Sequence, residues 1–331
     1  MRAATVRDQQ IVVEEHPDPE PGAGEVLVRV RAAGLNGADI HQRQGGYPAP
    51  PGSPPDIPGL ELAGEVAALG PGAMRFSEGD RVMAIVGGGG QAELATVHER
   101  QLMPVPDGLE WAAAGGVPEV FTTAHDAIFT QCGLRSGERL LVHGAAGGVG
   151  TAAVQLGRAT GAHVTATVRN EGLREGVAGL GAHEVLDSAG FEEHGPFDVI
   201  LELVGAPNMG ANLQALAPGG RIVVIGVGGG FKAEVNLLAL MGKRATLRAS
   251  MLRSRPLEEK AATARAMEKH VLPLLASGVV RVPVAATYDL GDVAAAYDRF
   301  TAGAKLGKVV LLTAAGGPPA ASGAGLDAPR R

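Results

Sequence analysis

Arg139-Leu-Leu-Val-His-Gly-Ala-Ala-Gly-Gly-Val-Gly150, followed by Thr151-Ala-Ala-Val-Gln-Leu-Gly-Arg158, is the stretch that decides the fold. Its first apolar residues predict a short strand buried on both faces, and its second half has apolar residues at helical spacing. Between them Gly144, Gly147 and Gly150 recur every third residue. Strand, glycine turn and helix in this order predict a dinucleotide site, because the glycines let the backbone approach a pyrophosphate at the helix start. The spacing is G-x-x-G-x-x-G and the chain has 50 glycines, so a purely structural glycine turn is the alternative.

The rest of the chain divides into a β-rich part and an α/β part. Residues 1 to about 115 carry strand signals broken by Gly and Pro, with loops at 45–55 and 87–90. From about residue 116 we predict strands, with helices between several of them, at 163–168, 184–187, 197–204, 221–226 and 245–250. Right-handed crossovers then give a doubly wound parallel sheet of the α/β class. Further on, we predict one helix over 257–277, mixed β and helix over 282–312 that rejoins the first part, and a disordered low-complexity tail after Thr313.

Composition narrows the function classes. The formal charge of −6 argues against a general nucleic-acid or membrane-surface protein. No apolar run is long enough for a membrane span, and the N-terminal residues lack the apolar core of a signal peptide. The only cysteine is Cys132, so an intrachain disulfide is excluded, and a reducing cytoplasm is the expected location.

The end of the second predicted strand indicates which nicotinamide cofactor is used. An NAD-preferring site usually has Asp or Glu there, whereas this chain has Arg169 and Asn170, with Arg174 following. An arginine can pair with a 2′-phosphate, so we predict NADPH. The alternatives are an ordinary solvated arginine and a ribose-binding role for Glu171. Small residues at the next two strand ends, Val204-Gly205 and Gly226-Val227-Gly228, are expected to leave room for ribose and nicotinamide.

Metal and triad chemistry find no support in the sequence. A single cysteine cannot form a four-thiolate zinc site, and no G-x-S-x-G pattern occurs. The remaining candidate ligands lack ligand spacing and are more typical of surface or supporting residues: His41, Glu61, His98 and His125.

With these motifs in hand, the sequence resembles the medium-chain dehydrogenase/reductase superfamily, specifically its zinc-free quinone oxidoreductase branch, which includes zeta-crystallin and the stress-inducible NAD(P)H quinone reductases. The matching pieces run in family order over residues 1–313: 32–48, 58–65, 88–92, 143–150, 218–221, 251–255 and 307–310. Zinc-dependent relatives have cysteine where Asn36 stands and histidine where Leu60 stands, and this chain lacks both.

The resemblance implies a GroES-like, mainly-β catalytic domain and a Rossmann-type domain. The implied limits are 1–119 for the catalytic domain, 120–262 for the NADP(H)-binding domain, 263–313 for the return to the catalytic domain and 314–331 for a disordered tail. It also implies a homodimer that reduces a small-molecule quinone, with no nucleic-acid or membrane partner.

Site residues follow from the same resemblance. Asn36, Asp39 and Tyr47 are implied to line the cleft beside the nicotinamide, with Tyr47 as a gate or substrate contact. The implied cofactor contacts are Thr123 at the carboxamide, Ala146, Gly147, Gly148 and Val149 at the pyrophosphate, Ser250, Met251 and Leu252 on the far side of the nicotinamide, and Lys308. The inducible reductases tend to have serine where Gly147 stands, so no hydroxyl role is expected there.

Each assignment has an alternative. Asn36 and Asp39 are also suited to capping a helix that starts near Ala38, and Tyr47 lies among prolines where it can simply pack in a loop. Reduction of an activated C=C bond in enones or enoyl thioesters is the nearest rival activity, although no dense basic run for coenzyme phosphates is evident near the cleft segments. A non-enzymatic NADPH-binding structural or RNA-associating protein is the third possibility, which the acidic balance disfavours.

Overall fold

A computed structural model of the protein describes residues 1–313, so the predicted tail at 314–331 lies outside the described residues. The strands are β1 (Arg2–Arg7), β2 (Gln10–Glu15), β3 (Glu25–Gly34), β4 (Glu61–Leu69), β5 (Arg81–Ile85), β6 (Leu94–His98), β7 (Met103–Pro104), β8 (Arg139–Val142), β9 (His163–Thr167), β10 (Glu184–Leu186), β11 (Phe197–Glu202), β12 (Leu216–Val224), β13 (Thr246–Ala249), β14 (Val284–Asp289) and β15 (Lys308–Leu312). The helices are α1 (Gly37–Arg43), α2 (Trp111–Ala114), α3 (Pro118–His125), α4 (Gly148–Thr160), α5 (Arg174–Ala178), α6 (Met209–Ala215), α7 (Leu237–Lys243), α8 (Leu257–His270), α9 (Leu272–Ala276) and α10 (Val293–Thr301). A π-helical segment, Asp126–Gln131, continues α3, and short 3₁₀ turns lie at Glu171–Leu173, Phe191–His194, Ala206–Asn208 and Leu290–Asp292.

The doubly wound parallel sheet is confirmed. Its six strands lie in the order β10-β9-β8-β11-β12-β13, and every pairing is parallel. Counted along the chain from β8, this is the 3-2-1-4-5-6 strand order of the Rossmann fold. The first three strands extend the sheet toward one edge and the next three extend it toward the other, so the strand order reverses between the first and fourth strands. The crevice for a dinucleotide therefore lies at the carboxyl ends of β8 and β11.

The second sheet is mainly antiparallel and follows the order β14-β15-β3-β4-β5-β7, with β6 also pairing with β3. Strand β15, from the end of the described chain, pairs antiparallel with β3 from its beginning. This pairing brings Lys308 next to the segment that precedes α1, which matters for the site below. The domain limits given above remain predictions.

Two predicted elements differ from the structure. The helix expected over 257–277 is two helices, α8 and α9, which meet at Val271. Pro273 explains the break, because it lacks the N–H that would bond to the carbonyl four residues earlier and its ring would clash there. Strand β12 also begins at Leu216, earlier than the predicted residue 221, and includes the exposed turn residues Pro218 and Gly219.

The largest core cluster holds the two sheets together. It contains Leu140 of β8, Leu156 of α4, Phe121 of α3 and Met267 of α8, together with Met83 of the antiparallel sheet. These side chains are at most 2% exposed, and burial of each contributes about 1.5–3 kcal/mol. Because one cluster spans both sheets, α3 is fixed between them. Among residues 1–313, no helix is long and apolar enough to cross a membrane.

Candidate active site

The glycine turn forms a cradle at the carboxyl end of β8. Gly144 has a φ of +60°, a backbone region that favours glycine, and α4 begins directly after Gly147. A Cβ at Gly150 would lie 2.6 Å from the Ala145 Cα and from the Gly144 oxygen, so any side chain there would collide with backbone. The first N–H groups of α4 have no partner within the helix. These features fit a pyrophosphate group, which such helix starts bind.

The other two residues of the turn differ from each other. A Cβ at Gly147 would meet only the Gly144 oxygen, at 3.4 Å, so a serine fits there as it does in the inducible reductases. A Cβ at Gly148 would instead lie 2.6 Å from Val120 Cγ1 and 3.0 Å from Lys308 Cδ. Gly148 is therefore required by protein packing as well as by any approach of a ligand.

A buried polar network fixes the loops around the crevice. The Glu202 carboxylate, fully buried at the end of β11, accepts hydrogen bonds from the Val204 and Gly205 backbone N–H groups at 2.6 and 2.8 Å. Its other oxygen accepts from Asn212 Nδ2 at 2.6 Å. The Asn212 Oδ1 lies 2.7 Å from His143 Nε2, and burial lowers the pKa of His143, which favours the neutral ring. The loop after β11 is thus held rigidly beside the glycine turn.

The small residues at the strand ends also allow two loops to pack together. A Cβ at Gly205 would meet the Gly230 oxygen at 2.5 Å, and one at Gly226 would meet the Leu203 oxygen at 2.3 Å. Val204 is partly buried, whereas Val227 is 47% exposed. The glycines are needed for this close approach, and the expected contact of these residues with ribose and nicotinamide stays a prediction.

The two arginines predicted to bind a 2′-phosphate lie in different surroundings. Arg169 is exposed just beyond β9 and makes no hydrogen bond or ion pair with any residue of the described chain. Arg174 donates to the Val168 carbonyl at 3.1 Å and forms an ion pair with Asp187. Asn170 is exposed, and its side chain accepts from the Gly172 N–H at 3.0 Å. Arg169 is therefore the freer of the two cations.

Asn36 and Asp39 lie at the start of α1. Asn36 is the residue before the helix, and the Asp39 carboxylate accepts its backbone N–H at 2.9 Å, as the capping alternative predicts. Asp39 also accepts from Gly59 N at 3.1 Å and Gln91 Nε2 at 3.2 Å, and its side chain is fully buried. Burial raises the pKa of Asp39 to about 6. The prediction that Asp39 lines the cleft remains untested, and its carboxylate here is occupied by protein donors.

A buried ion pair stands beside Asn36. The Lys308 ammonium lies 2.6 Å from Glu61 Oε1, and it also donates to Asn36 Oδ1 at 2.7 Å and to the Leu35 carbonyl at 2.6 Å. An ammonium has three hydrogens, so all are used within the protein and none is left for a cofactor phosphate in this arrangement. Asn36 Nδ2 donates in turn to Glu61 Oε1 at 2.9 Å.

Glu119 joins this cluster from the first turn of α3. Its backbone N–H donates to Glu61 Oε2 at 2.8 Å, and its carboxylate accepts from Thr123 Oγ1 at 3.4 Å. Part of its surface is accessible, but the surrounding protein and the nearby Glu61 carboxylate raise the pKa of Glu119 to about 7. Thr123, predicted to hold the carboxamide, is 5% exposed.

Tyr47 packs against Arg253. The Arg253 guanidinium is buried, lies 4.8 Å from the Tyr47 ring centre and donates to the Tyr47 carbonyl at 3.0 Å. It also donates to the Gly87 carbonyl and to Gln42 Oε1, and so ties the two predicted loops together. The Tyr47 hydroxyl makes no hydrogen bond within residues 1–313, and burial raises its pKa, which keeps it protonated.

The segment after β13 borders the same region. Ser250 Oγ accepts from Arg255, whose guanidinium forms a bidentate ion pair with the buried Asp126 at 3.1 and 2.6 Å. Met251 is 54% exposed, whereas Leu252 is buried. The position of this segment is therefore set by Asp126, at the start of the π-helical turn that continues α3.

Sequence reasoning missed several of these residues. Of the two roles predicted for Glu61, its full burial contradicts a surface residue, whereas its bonds to Asn36 and Lys308 agree with a supporting one and make it the centre of the ion-pair cluster. A signal existed, since an acidic residue inside the apolar run Gly59-Leu-Glu-Leu-Ala63 is unusual and indicates a buried partner. Glu119 and Arg253 had no such signal. Within residues 1–313, no group of three or more His, Cys, Asp or Glu side chains is placed to hold a metal ion.

Comparisons with known proteins agree with this architecture. Residues 22–107 match the family described as alcohol dehydrogenase GroES-like domain, and residues 180–311 match the one described as zinc-binding dehydrogenase. The chain is 33% identical to a mouse quinone oxidoreductase, over 89% of this chain and 91% of the relative. It is 30% identical to an acryloyl-coenzyme A reductase of Metallosphaera sedula, over 95% of this chain and 100% of that one. A mycobacterial protein solved in complex with NADPH superposes with a TM-score of 0.84 at 28% identity, covering 94% of this chain and 100% of that chain.

Proposed function

Since the chain belongs to the quinone oxidoreductase branch of the medium-chain dehydrogenase/reductase superfamily, and is an oxidoreductase of that family, we propose that it reduces quinones with NADPH and without zinc. The observation that carries the proposal is the cluster at Asn36. Zinc-dependent relatives have a cysteine where this chain has Asn36. The Asn36 side-chain amide accepts a hydrogen bond from Lys308 and donates one to Glu61. The Lys308 ammonium therefore bonds to the residue that stands in place of the cysteine ligand.

The cofactor would be held by the glycine turn and the strand ends beside it. The N–H groups at the start of α4 would bind the pyrophosphate, and Arg169 would pair with a 2′-phosphate. The Glu202 network keeps the loop after β11 fixed for the ribose side. When bound, the dihydronicotinamide supplies a hydride. NADPH as the partner is supported by Arg169, which is exposed and has no partner among residues 1–313, and by the NADPH complex of the mycobacterial neighbour.

The substrate would lie between Tyr47 and Glu119. A quinone accepts hydride readily, so the protein needs mainly to orient it beside the nicotinamide. The Arg253 guanidinium fixes the Tyr47 backbone and ring, and the free Tyr47 hydroxyl is available to a quinone oxygen. With Asn36 and Leu60 in place of zinc ligands, polarisation of an alcohol by a metal at this position is disfavoured.

Assembly as a homodimer is part of the proposal. The edge strand β13 is exposed along its whole length, and an exposed edge is a ready pairing surface. The segment between β12 and β13, which includes α7, has exposed apolar side chains, including Phe231 at 80%, Leu238 at 78% and Met241 at 71%. A second copy pairing at β13 would cover them. Cytoplasmic location is likewise proposed, from the single buried Cys132.

Reduction of an activated C=C bond is the second candidate, favoured by the similarity to the acryloyl-coenzyme A reductase. NADPH consumption with panels of quinones, enones, enoyl thioesters and simple alcohols separates the two. We expect ortho-quinones to be turned over and alcohols with NADP⁺ to give little activity. Enone turnover far above every quinone would favour the second candidate, and robust alcohol oxidation would contradict both. Elemental analysis of the active protein should find no stoichiometric zinc, and activity lost to a chelator and restored by zinc would contradict zinc independence.

A further inference from the structure

We propose that Glu119 is a catalytic residue of this reductase, whose carboxylic acid gives a proton to the acceptor as the hydride arrives. The inference rests on the proposed function and adds the proton donor that orientation alone does not supply. It follows from the way three carboxyl groups and one ammonium share the buried cluster of Asp39, Glu61, Glu119 and Lys308.

The cluster has more acids than cations, so its hydrogen bonds decide which acid holds a proton. Glu61 faces the Lys308 ammonium at 2.6 Å and accepts two N–H groups, from Asn36 Nδ2 and from the Glu119 backbone. These donors all stabilise the anion. Glu61 is therefore the acid of the cluster that is paired with the ammonium and has two further donors.

Asp39 is also supplied with donors, because its two oxygens accept from Asn36 N, Gly59 N and Gln91 Nε2. The Glu119 carboxyl has only the Thr123 hydroxyl, at 3.4 Å, among the described residues. It also has the Glu61 carboxylate nearby, which repels a second negative charge. The geometry thus leaves Glu119 as the acid whose ionised form is least stabilised and which keeps its proton most readily.

The position of Glu119 suits delivery of that proton. Its carboxyl accepts from the Thr123 hydroxyl at 3.4 Å, and its charge is felt by Tyr47 and by Arg253. It stands one helical turn before Thr123 on α3, the residue predicted to hold the carboxamide. Because part of Glu119 is accessible, water can return a proton after each turnover.

The step balances as follows for a quinone. A quinone would take up the hydride, with its two electrons, that bound NADPH would supply, and would become the hydroquinone monoanion, leaving NADP⁺. The O–H bond of Glu119 breaks and an O–H bond forms on the hydroquinone oxygen. The Glu119 carboxylate then takes a proton from water, so one proton from solvent is consumed per NADPH. An enone would use the same donor at the carbon next to its carbonyl group.

Titration of Glu119 is expected near neutral pH. The charged and titratable groups around Glu119 are Glu61, Asp39 and Lys308 within the cluster, together with Tyr47 and Arg253. Burial and Glu61 raise the pKa of Glu119 to about 7, so about half of it is protonated at neutral pH. The wild-type kcat should therefore fall as the pH rises above about 7, since the acid form is lost.

The test compares Glu119→Gln, Glu119→Asp and the control Glu110→Gln, which removes an exposed carboxylate outside the cluster. Glutamine keeps the shape and the Thr123 contact. We expect E119Q to lower kcat with a quinone about 10²-fold or more at pH 7, with the KM for NADPH within about twofold of wild type. Its kcat should lose the fall above pH 7, E119D should restore part of the rate, and E110Q should behave as wild type.

A second measurement does not depend on turnover. Infrared difference spectroscopy of the full chain between pH 5 and 9 should show a protonated-carboxyl band that disappears near pH 7 and is missing in E119Q. If the wild type is active and E119Q has the same kcat, pH profile and carboxyl band, this inference is overturned and the proposed function is not. A wild type that oxidises NADPH with no quinone or enone would overturn the proposed function, and the inference with it.

Discussion

Replacing Lys308 with methionine tests whether the buried ion pair, rather than the general packing around it, stabilises the second sheet beside α1. The ammonium donates to Glu61, to Asn36 Oδ1 and to the Leu35 carbonyl, and the side chain is 3% exposed. Methionine fills most of the volume of the lysine stem but removes the charge and all three donors. Glu61, which is fully buried, then remains as a carboxylate without its cation.

The expected cost follows from that uncompensated charge. Removing one partner of a buried ion pair typically costs about 3–5 kcal/mol. Two donors to Glu61 remain, Asn36 Nδ2 at 2.9 Å and Glu119 N at 2.8 Å, so we expect the lower half of this range. The double variant Glu61→Gln with Lys308→Met leaves no buried charge from the pair and should be less destabilised than Lys308→Met alone.

Urea denaturation at pH 7, followed by circular dichroism, measures these free energies of unfolding. Arg100→Met is the matched control, because Arg100 pairs with Glu258 at the surface, where the two side chains are 47% and 71% exposed. Such an exposed pair contributes about 0–1 kcal/mol. A loss below about 1 kcal/mol for Lys308→Met, or a double variant less stable than that single variant, would refute the reasoning.

Three further outcomes are expected. Arg169→Ala should weaken the binding of NADPH relative to that of NADH by about 1.5–3 kcal/mol. Arg174→Ala should weaken it less, because Arg174 is already paired with Asp187. Equal effects of the two variants in fluorescence titrations would argue against this prediction. Leu238→Asp, which places a charge on the exposed apolar segment between β12 and β13, should shift the protein from dimer to monomer in light scattering, whereas a monomeric wild type at micromolar concentration would contradict the proposed assembly. The raised pKa of Glu119 means that the folded protein binds the proton of this carboxyl more tightly than the unfolded chain does, so the stabilisation by this proton is complete below the ordinary pKa of 4.5 and is lost as the pH rises to about 7. The melting temperature of the wild type should therefore fall more than that of Glu119→Gln between pH 5 and 8. Parallel curves of melting temperature against pH would count against this prediction.

The sequence by itself determined the nucleotide-binding half of the fold. The order of apolar run, three spaced glycines and helix around Gly144 and Gly150 is local, and parallel crossover rules leave few ways to arrange the strands that follow. The absence of the zinc ligands can likewise be read from the sequence, because it depends only on the identity of two residues, Asn36 and Leu60. The prediction of one helix over 257–277 is wrong because Pro273 breaks it into α8 and α9, although a proline is also a local signal.

Only the tertiary structure decided how the charged residues pair. Lys308 follows a glycine near the end of the described chain, where an exposed lysine would be ordinary, and it is buried because β15 pairs with β3 and carries it to Glu61. Arg253 reaches the Tyr47 carbonyl across 206 residues of sequence. Arg169 and Arg174 look equivalent in the sequence, but only Arg174 meets Asp187, at the end of the neighbouring strand. Contacts at such separations depend on strand pairing and loop closure, which local residue patterns do not encode, so the chemistry of the cleft emerges only when the chain is folded.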